Sequence, residues 1–334
     1  MYEQLSILNY VGADFLAGIH DQLAGLDKVQ INFSAGGMHV VNIVLAFVMF
    51  GVALGLRAQM FKDILRYPKS AIVGFFSQAF ALPAVTFLMV LLLNRWITPM
   101  VAMGMILVAA CPGGNISNFM SQFSKANAEL SISLTAVSTA LSTILTPFNF
   151  WLWGSLYVNF VNKRAADALQ PLEIPMSQMF VTVFILLGIP LILGILTVKF
   201  LPKVAEKLKK PLQYFSILFF IAMVVMAFSN NLDLFLKHII FIFILVLIHN
   251  GLALSTGYGL ATVFKLPDID RRTLTIETGI QNSGLGLVLL FNPKIFAPDL
   301  AIGGMLFITA WWGIWHIISG LSISFYWSRR APKQ

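Results

Sequence analysis

Charge is scarce in this sequence. Asp, Glu, Lys and Arg make up 11% of its 334 residues, where a soluble domain carries about 25%. A globule in water could not cover its surface with so few charges. Cysteine is almost absent: Cys111 stands alone, which excludes a disulfide within the chain and a multi-cysteine metal cage. There is no low-complexity tract, and 29 Phe exclude a disordered chain. What the chain has instead is 58% apolar residues and a mean hydropathy of +0.84. These features predict an all-α polytopic membrane protein.

Runs of about 20 mainly apolar residues read as spanning helices. Nine such runs occur, at about 38–56, 70–93, 97–123, 130–153, 179–198, 212–229, 239–264, 273–291 and 300–327. Numbering the loops alternately splits the basic residues unequally. One set holds Arg57, Lys62, Arg66, Lys69, Lys125, Lys199, Lys203, Lys207, Lys209, Lys210, Lys265, Arg271, Arg272, Arg329, Arg330 and Lys333. The other holds Lys28, Arg95, Lys163, Arg164, Lys237 and Lys294. By the positive-inside rule the first set is cytoplasmic, the N-terminus outside and the C-terminus inside. The net charge of +8 is thus spread over five cytoplasmic segments as a topology signal, which speaks against nucleic acid as a partner.

Residues 1–37 form a separate amphipathic segment. They carry Glu3, Asp14, Asp21 and Asp27 and no basic n-region, unlike a signal peptide. Leu8, Val11, Phe15, Ile19, Leu23 and Leu26 recur at helical steps, which predicts a helix along the outer membrane surface. A loosely ordered tail is the alternative. The membrane domain covers 38–328, with repeats at about 38–153 and 179–328, and 329–334 form a cytoplasmic tail.

Two spans carry polar clusters at mid-depth. The third holds Cys111-Pro112-Gly113-Gly114-Asn115-Ile116-Ser117-Asn118. Pro112 lacks an N–H, so the Val108 carbonyl is expected to lose its helical partner. The eighth holds Glu277-Thr278-Gly279-Ile280-Gln281-Asn282-Ser283-Gly284. Unwound backbone at membrane depth must pack on protein or line a cavity. A long span with polar residues precedes each cluster, Gln78 in one case and His249 and Asn250 in the other. Another long span follows each: one with Ser131, Ser133, Thr135, Ser138, Thr139 and Ser142, the other with His316 and Ser319. Paired interrupted helices in two halves are the pointer to a transporter built from repeats, with its binding site between them. Five spans per repeat would invert the second copy. The first half shows four, so either a helix has been lost or the amphipathic N-terminus replaces it.

Glu277 is the one acidic residue deep within a span. An ionised group there costs about 2.5–3.5 kcal/mol on insertion scales. No Lys or Arg lies at mid-depth to offset it, which leaves a bound cation or a proton as partner. A neutral Glu in a helix-packing hydrogen bond is the plain structural alternative. His249 and His316 lie at unrelated positions and read as buried hydrogen-bonding histidines, with His316 also near the expected cavity. Cys111 reads as a small buried hydrophobe. Gly113-Gly114 is no phosphate loop, because neither a strand before it nor a Lys-Ser/Thr after it is present.

The runs CPGGNISNFMSQ and LTIETGIQNSG and the closing WHIISG resemble the bile acid:sodium symporter family over roughly residues 38–328. The resemblance implies an inverted-repeat fold with two broken helices crossing at mid-membrane, a core domain, and a panel domain that moves against it. It implies two Na⁺ sites and no organic cofactor. Ser117, Asn118, Ser131, Thr135 and Glu277 would form the first; Gln78, Glu277, Gln281 and carbonyls around Thr278 and Ile280 would form the second. Hard-cation chemistry agrees, because Na⁺ prefers oxygen ligands. Two positions depart from the ten-span bacterial relatives: Asn115 stands where they have Thr, and Ile317 where they have Asn.

The expected function is sodium-coupled symport by alternating access. An organic anion (bile-acid-like, pantoate-like, an oxo acid or a sulfonate) would be imported by a monomer across a bacterial cytoplasmic membrane. Asn115, Asn282, His316 and Ser319 are the expected substrate-binding residues. Proton coupling through Glu277 is the alternative that keeps the architecture. An intramembrane enzyme using Glu277 and His316 as acid and base is the alternative from another class. A passive channel fits a closed polar crossover less well.

Overall fold

The structure, a computed structural model, describes residues 20, 23–27, 35–164, 176–229, 232–292, 294–296 and 300–332. Among them the regular elements are helical. They run α1 Ala35–Ala53, α2 Ala58–Asp63, α3 Pro68–Leu93, α4 Pro99–Ala110, α5 Ile116–Phe123, α6 Ala128–Arg164, α7 Met176–Phe200, α8 Pro202–Ser229, α9 Leu232–Val263, α10 Asp268–Gly279, α11 Ser283–Leu290 and α12 Gly303–Ser328. In α3, α6, α7, α9 and α12 the stretch that is described is long and apolar enough to cross a membrane. Each of the nine expected spans coincides with a helix or with a broken pair, α4–α5 and α10–α11.

Local chemistry explains several ends. Pro68 and Pro99 open α3 and α4, where a missing N–H costs nothing. Thr98 caps α4, its hydroxyl accepting from the Val101 amide. Lys125 and Lys265 hold positive φ just beyond α5 and α9. The amides that follow them reach back to Ser121 and Ala261 at 2.9 Å, closing both helices with Schellman turns. Within α3, Ser77–Ala81 forms a π-helical segment that holds Gln78. Such segments often sit at functional sites because they re-aim side chains.

The elements repeat in order. A long helix, a half-helix, a short half-helix and a long helix run from α3 to α6, and again from α9 to α12. In these two sets α9 packs on α10, α12 on α4, and α5 on both α6 and α10. Helices α1, α7 and α8 pack on one another and reach the rest chiefly through α6. One end of the bundle is tied by Arg272, which pairs with Asp268 at 3.0 Å and donates to the carbonyls of Ser124, Trp327, Arg330 and Ala331. Asp270 beside it is buried and accepts from Ser70 at 2.6 Å and from Asn127 at 2.8 Å.

Most of the amphipathic N-terminal segment lies outside the described residues. The part that is described is a helical turn at 23–27, in which Ala24, Gly25 and Asp27 are half-buried. Leu23 and Leu26 are fully buried in the main apolar core. Asp27 accepts from Thr98 Oγ1 at 2.8 Å and from the Met100 amide at 3.4 Å. A carboxylate at the start of α4 complements the positive end of that helix.

Candidate functional site

The two broken helices meet at their breaks. Cys111, forced out of the helical region by Pro112, is extended at φ −71°, ψ 154°. Its amide turns back to the Val108 carbonyl at 3.1 Å, so that carbonyl keeps a donor after all, supplied by a tighter turn. Gly113 then pairs with Gln281 in an antiparallel bridge. The Gly114 amide donates to the Ile280 carbonyl at 2.7 Å, and the Asn282 amide donates to the Pro112 carbonyl at 2.8 Å. The bridge is antiparallel, so the two breaks run past one another in opposite directions. Glycine suits this approach: a Cβ at Gly113 would stand a tight 3.2 Å from Glu277 Oε2, and one at Gly114 would stand 3.3 Å from the Gln281 carbonyl, so the neighbours would have to shift by a few tenths of an ångström.

The second break has no proline and relies on side chains. Gln281 Nε2 donates to the Thr278 carbonyl at 2.8 Å, and Asn250 Nδ2 donates to the Gly279 carbonyl at 2.8 Å. Asn282 caps α11, its Oδ1 accepting from the Leu285 amide at 3.0 Å. Asn115 stands at the matching start of α5, exposed and with no side-chain cap.

Glu277 is 0% exposed at the centre of this crossing. Its carboxylate accepts from Ser117 on α5, from Ser131 and Thr135 on α6, and from Gln78 Nε2 on α3 at 3.3 Å. Asn118 Oδ1 accepts from Ser131 and Thr135 at 3.0 and 3.1 Å. Among the described ion pairs none involves Glu277. Two buried amide oxygens nearby, Gln78 Oε1 and Gln281 Oε1, have no hydrogen-bond partner among the described residues. The arrangement therefore gathers hydroxyl and amide groups from three elements, α3, α5 and α6, around one carboxylate on α10. Hydroxyls that now donate to Glu277 would turn their lone pairs to a cation that entered.

The expected residues thus fall into two groups. Ser117, Asn118, Ser131, Thr135, Gln78 and Glu277 form one network. Thr278, Ile280 and Gln281 lie on the crossing backbone itself, where the Thr278 and Ile280 carbonyls are already engaged. Ser319 donates to Asn250 Oδ1 at 2.5 Å and so braces the crossing through Asn250. The buried His316 offers its main-chain carbonyl to Ser319 at 3.2 Å. His249 bonds to Thr86 at 2.8 Å, as a buried histidine should. Ser77 was not singled out by sequence, yet its hydroxyl lies 2.8 Å from that of Thr278. Its place beside Gln78 was the available signal.

Crossed, interrupted helices around a buried carboxylate, in an all-α polytopic chain, define a membrane protein of the transporter class. The comparisons give the family. The model of the sodium bile acid symporter family matches residues 42–238. An uncharacterized sodium-dependent transporter of Bacillus subtilis, YocS, is 30% identical over 88% of this chain and 84% of its own length. A probable chloroplastic sodium/metabolite cotransporter, BASS2 of Oryza sativa subsp. japonica, is 26% identical over 81% of this chain and 63% of its own. Sodium/bile acid cotransporter 4 of Mus musculus is 29% identical over 80% and 59%. The chain spans most of the bacterial relative but less than two thirds of the plant and mouse proteins. It belongs to the sodium bile acid symporter family, a family of sodium-dependent transporters.

Proposed function

We propose that the protein is a Na⁺-coupled symporter that imports an organic anion by alternating access. The observation that carries this reading is the environment of Glu277: fully buried, surrounded by hydroxyl and amide groups from three other elements, with no basic partner among the described ion pairs. Ser117, Asn118, Ser131, Thr135 and Glu277 would hold one ion. Gln78, Glu277 and Gln281, with nearby carbonyls, would hold a second; the two unpartnered amide oxygens support this. Sodium between α5, α6 and α10 would fix the crossing, and the helix starts at Asn115 and Asn282 would meet the anion. Asn282 Nδ2 stays free to donate because only its Oδ1 caps α11. By linkage, anion and sodium would raise each other's affinity equally.

In this reading α3–α6 and α9–α12 form the core, while α1, α7 and α8 form the panel. The N-terminus is outside, the C-terminus is cytoplasmic, and the membrane is a bacterial inner membrane. The protein performs no chemistry on its cargo. Its Glu277 partners are hydroxyls and an amide, not His316 as an acid–base pair would need.

The test is thermal unfolding of the purified protein in Na⁺, in K⁺ and in choline, across a panel of anions, followed by uptake into proteoliposomes. Stabilisation by Na⁺ alone, enhanced by one anion, is expected. Uptake that follows a pH gradient and ignores Na⁺ would replace this reading with proton coupling.

A further inference from the structure

The polar residues of α6 continue well beyond the two that touch Glu277. Ser131, Thr135, Ser138, Ser142, Thr146 and Asn149 follow one another at steps of three and four and share one face. Glu277 uses the first two. All the others are buried. They line a narrow cleft of about 20 Å³, room for about one water molecule, together with Gln78, Ala79, Ala110, Cys111, Pro112 and Leu145. From Thr135 to Asn149 the stripe rises ~21 Å along the helix. It therefore leads from the buried carboxylate towards the Arg164 end of α6.

The hydrogen-bond inventory gives the cleft a sign. Ser138 donates to the Thr135 carbonyl at 3.1 Å, and Ser142 donates to the Thr139 carbonyl at 2.7 Å. Each hydroxyl proton is spent inside the helix, leaving lone pairs. Asn149 Nδ2 donates to the Ala79 carbonyl at 2.9 Å, while its Oδ1 accepts from Trp153. Gln78 Oε1 and Thr146 Oγ1 are buried oxygens without any partner, in residues 4% and 1% exposed. Pro147 brings no N–H, so the Thr143 carbonyl lacks the donor a continuous helix would give it. Lone pairs thus outnumber free protons around the cleft. No Lys, Arg or His lines it. An organic anion would find neither room nor many donors there, whereas a cation that has shed most of its water would find oxygen atoms.

We propose that this groove is an ion-access vestibule: a weak site for a largely dehydrated Na⁺ beside Gln78, through which sodium passes between the Arg164 end of α6 and the crossing. The proposal rests on the sodium-coupled reading above and adds a route and a separate occupant to it. Gln78 is shared by both places, its Nε2 on Glu277 and its Oε1 free, and so would hand the ion on.

Thiol labelling with Ag⁺, a monovalent cation close to Na⁺ in size, tests this in nitrate buffers. Ser142→Cys and Thr146→Cys would each be placed in a Cys111→Ala background. Ag⁺ should modify both, and sodium nitrate should slow the reaction about fivefold or more against choline nitrate, the low end of an ordinary coupling between two occupants. An anionic methanethiosulfonate should react far more slowly than Ag⁺, after correction for its reactivity with a free thiol. The sodium protection should persist when Glu277→Gln is added, because the vestibule is its own site. Failure of either cysteine to react, labelling blind to charge, or protection lost with Glu277→Gln would each overturn the vestibule. Thr146→Val, which needs no labelling, should leave the sodium-induced rise in Tm intact while slowing sodium-driven fluorescence relaxation; unchanged kinetics would also overturn it. The underlying sodium reading fails by a different result, a wild-type Tm indifferent to Na⁺.

Discussion

Asn282 and Pro112 are joined by a 2.8 Å hydrogen bond from the amide of the first to the carbonyl of the second. Each break in the membrane thereby supplies what the other lacks. An interrupted helix alone would leave polar backbone in hydrocarbon, at several kcal/mol per group. Two interruptions laid across one another satisfy most of those groups internally, and so create a rigid frame beneath Glu277.

Glu277→Gln keeps the shape of that side chain and removes its charge. Sodium-induced stabilisation and transport should both be lost. Glu277→Asp should retain a small part of each, because a shorter arm cannot reach both proposed ions. Thermal unfolding in graded NaCl, with uptake in proteoliposomes, reads both. A Gln variant with wild-type sodium dependence would take Glu277 out of the ion sites.

Asn115 is exposed at the start of α5 and makes no cap. Asn115→Ala should weaken the anion several-fold and leave the Na⁺-induced shift in Tm nearly unchanged. Parallel loss of the two would assign Asn115 to the ion site or to the frame.

Gly257 on α9 faces the backbone of α10. A Cβ there would stand 2.4 Å from the Leu274 carbonyl oxygen and 2.9 Å from Thr275 Cα. Gly257→Ala must push α10 and the carboxylate it carries, at a cost of about 1–3 kcal/mol. Two residues on, a Cβ at Gly259 would meet nothing within 4 Å. Gly259→Ala should be neutral or stabilising by up to about 1 kcal/mol. Melting temperatures of the two single variants give the comparison directly, and equal values would refute the packing.

Burial pushes the carboxyl of Asp27 up to about 6, against the opposing effect of its bonds from Thr98 and Met100. The docked segment therefore holds a proton that the free segment has already released. Docking is strongest below the ordinary carboxylate range and weakens as pH rises from about 4 to about 6, by about 2 kcal/mol. Above that it is constant. Asp27→Asn removes the titration, so its Tm should gain on that of the wild type across this interval. A difference between the two that does not vary with pH would show that the carboxyl does not titrate on docking.

The spans, the two breaks and the burial of Glu277 were legible because each follows from a local rule. Apolar length, Pro112 with two glycines, and a lone carboxylate at mid-depth need no partner to be recognised. The braces were not legible. That Asn250 would serve the Gly279 carbonyl, or Arg272 four carbonyls at the end of the bundle, depends on residues far apart in sequence meeting in space. The π-helical segment under Gln78 has no sequence signature of its own. Of the amphipathic stripe at residues 8–26 only the turn at 23–27 and residue 20 are described; Leu23 and Leu26 lie in the core, a place a stripe fits as well as it fits a membrane surface.

The antiparallel bridge between Gly113 and Gln281 also constrains how the chain is made. Synthesis proceeds from the N-terminus, so Pro112 and Gly114 enter the membrane well before Ile280 and Asn282 exist. Until those residues arrive, the first break holds a carbonyl and an amide with no partner. The first half is thus an unfinished intermediate that has to persist through the insertion of α6 to α9. Such long-range closure slows folding and exposes the chain to misassembly along the way. A ribosome-bound chain truncated after α9 would be the form most in need of an insertion chaperone.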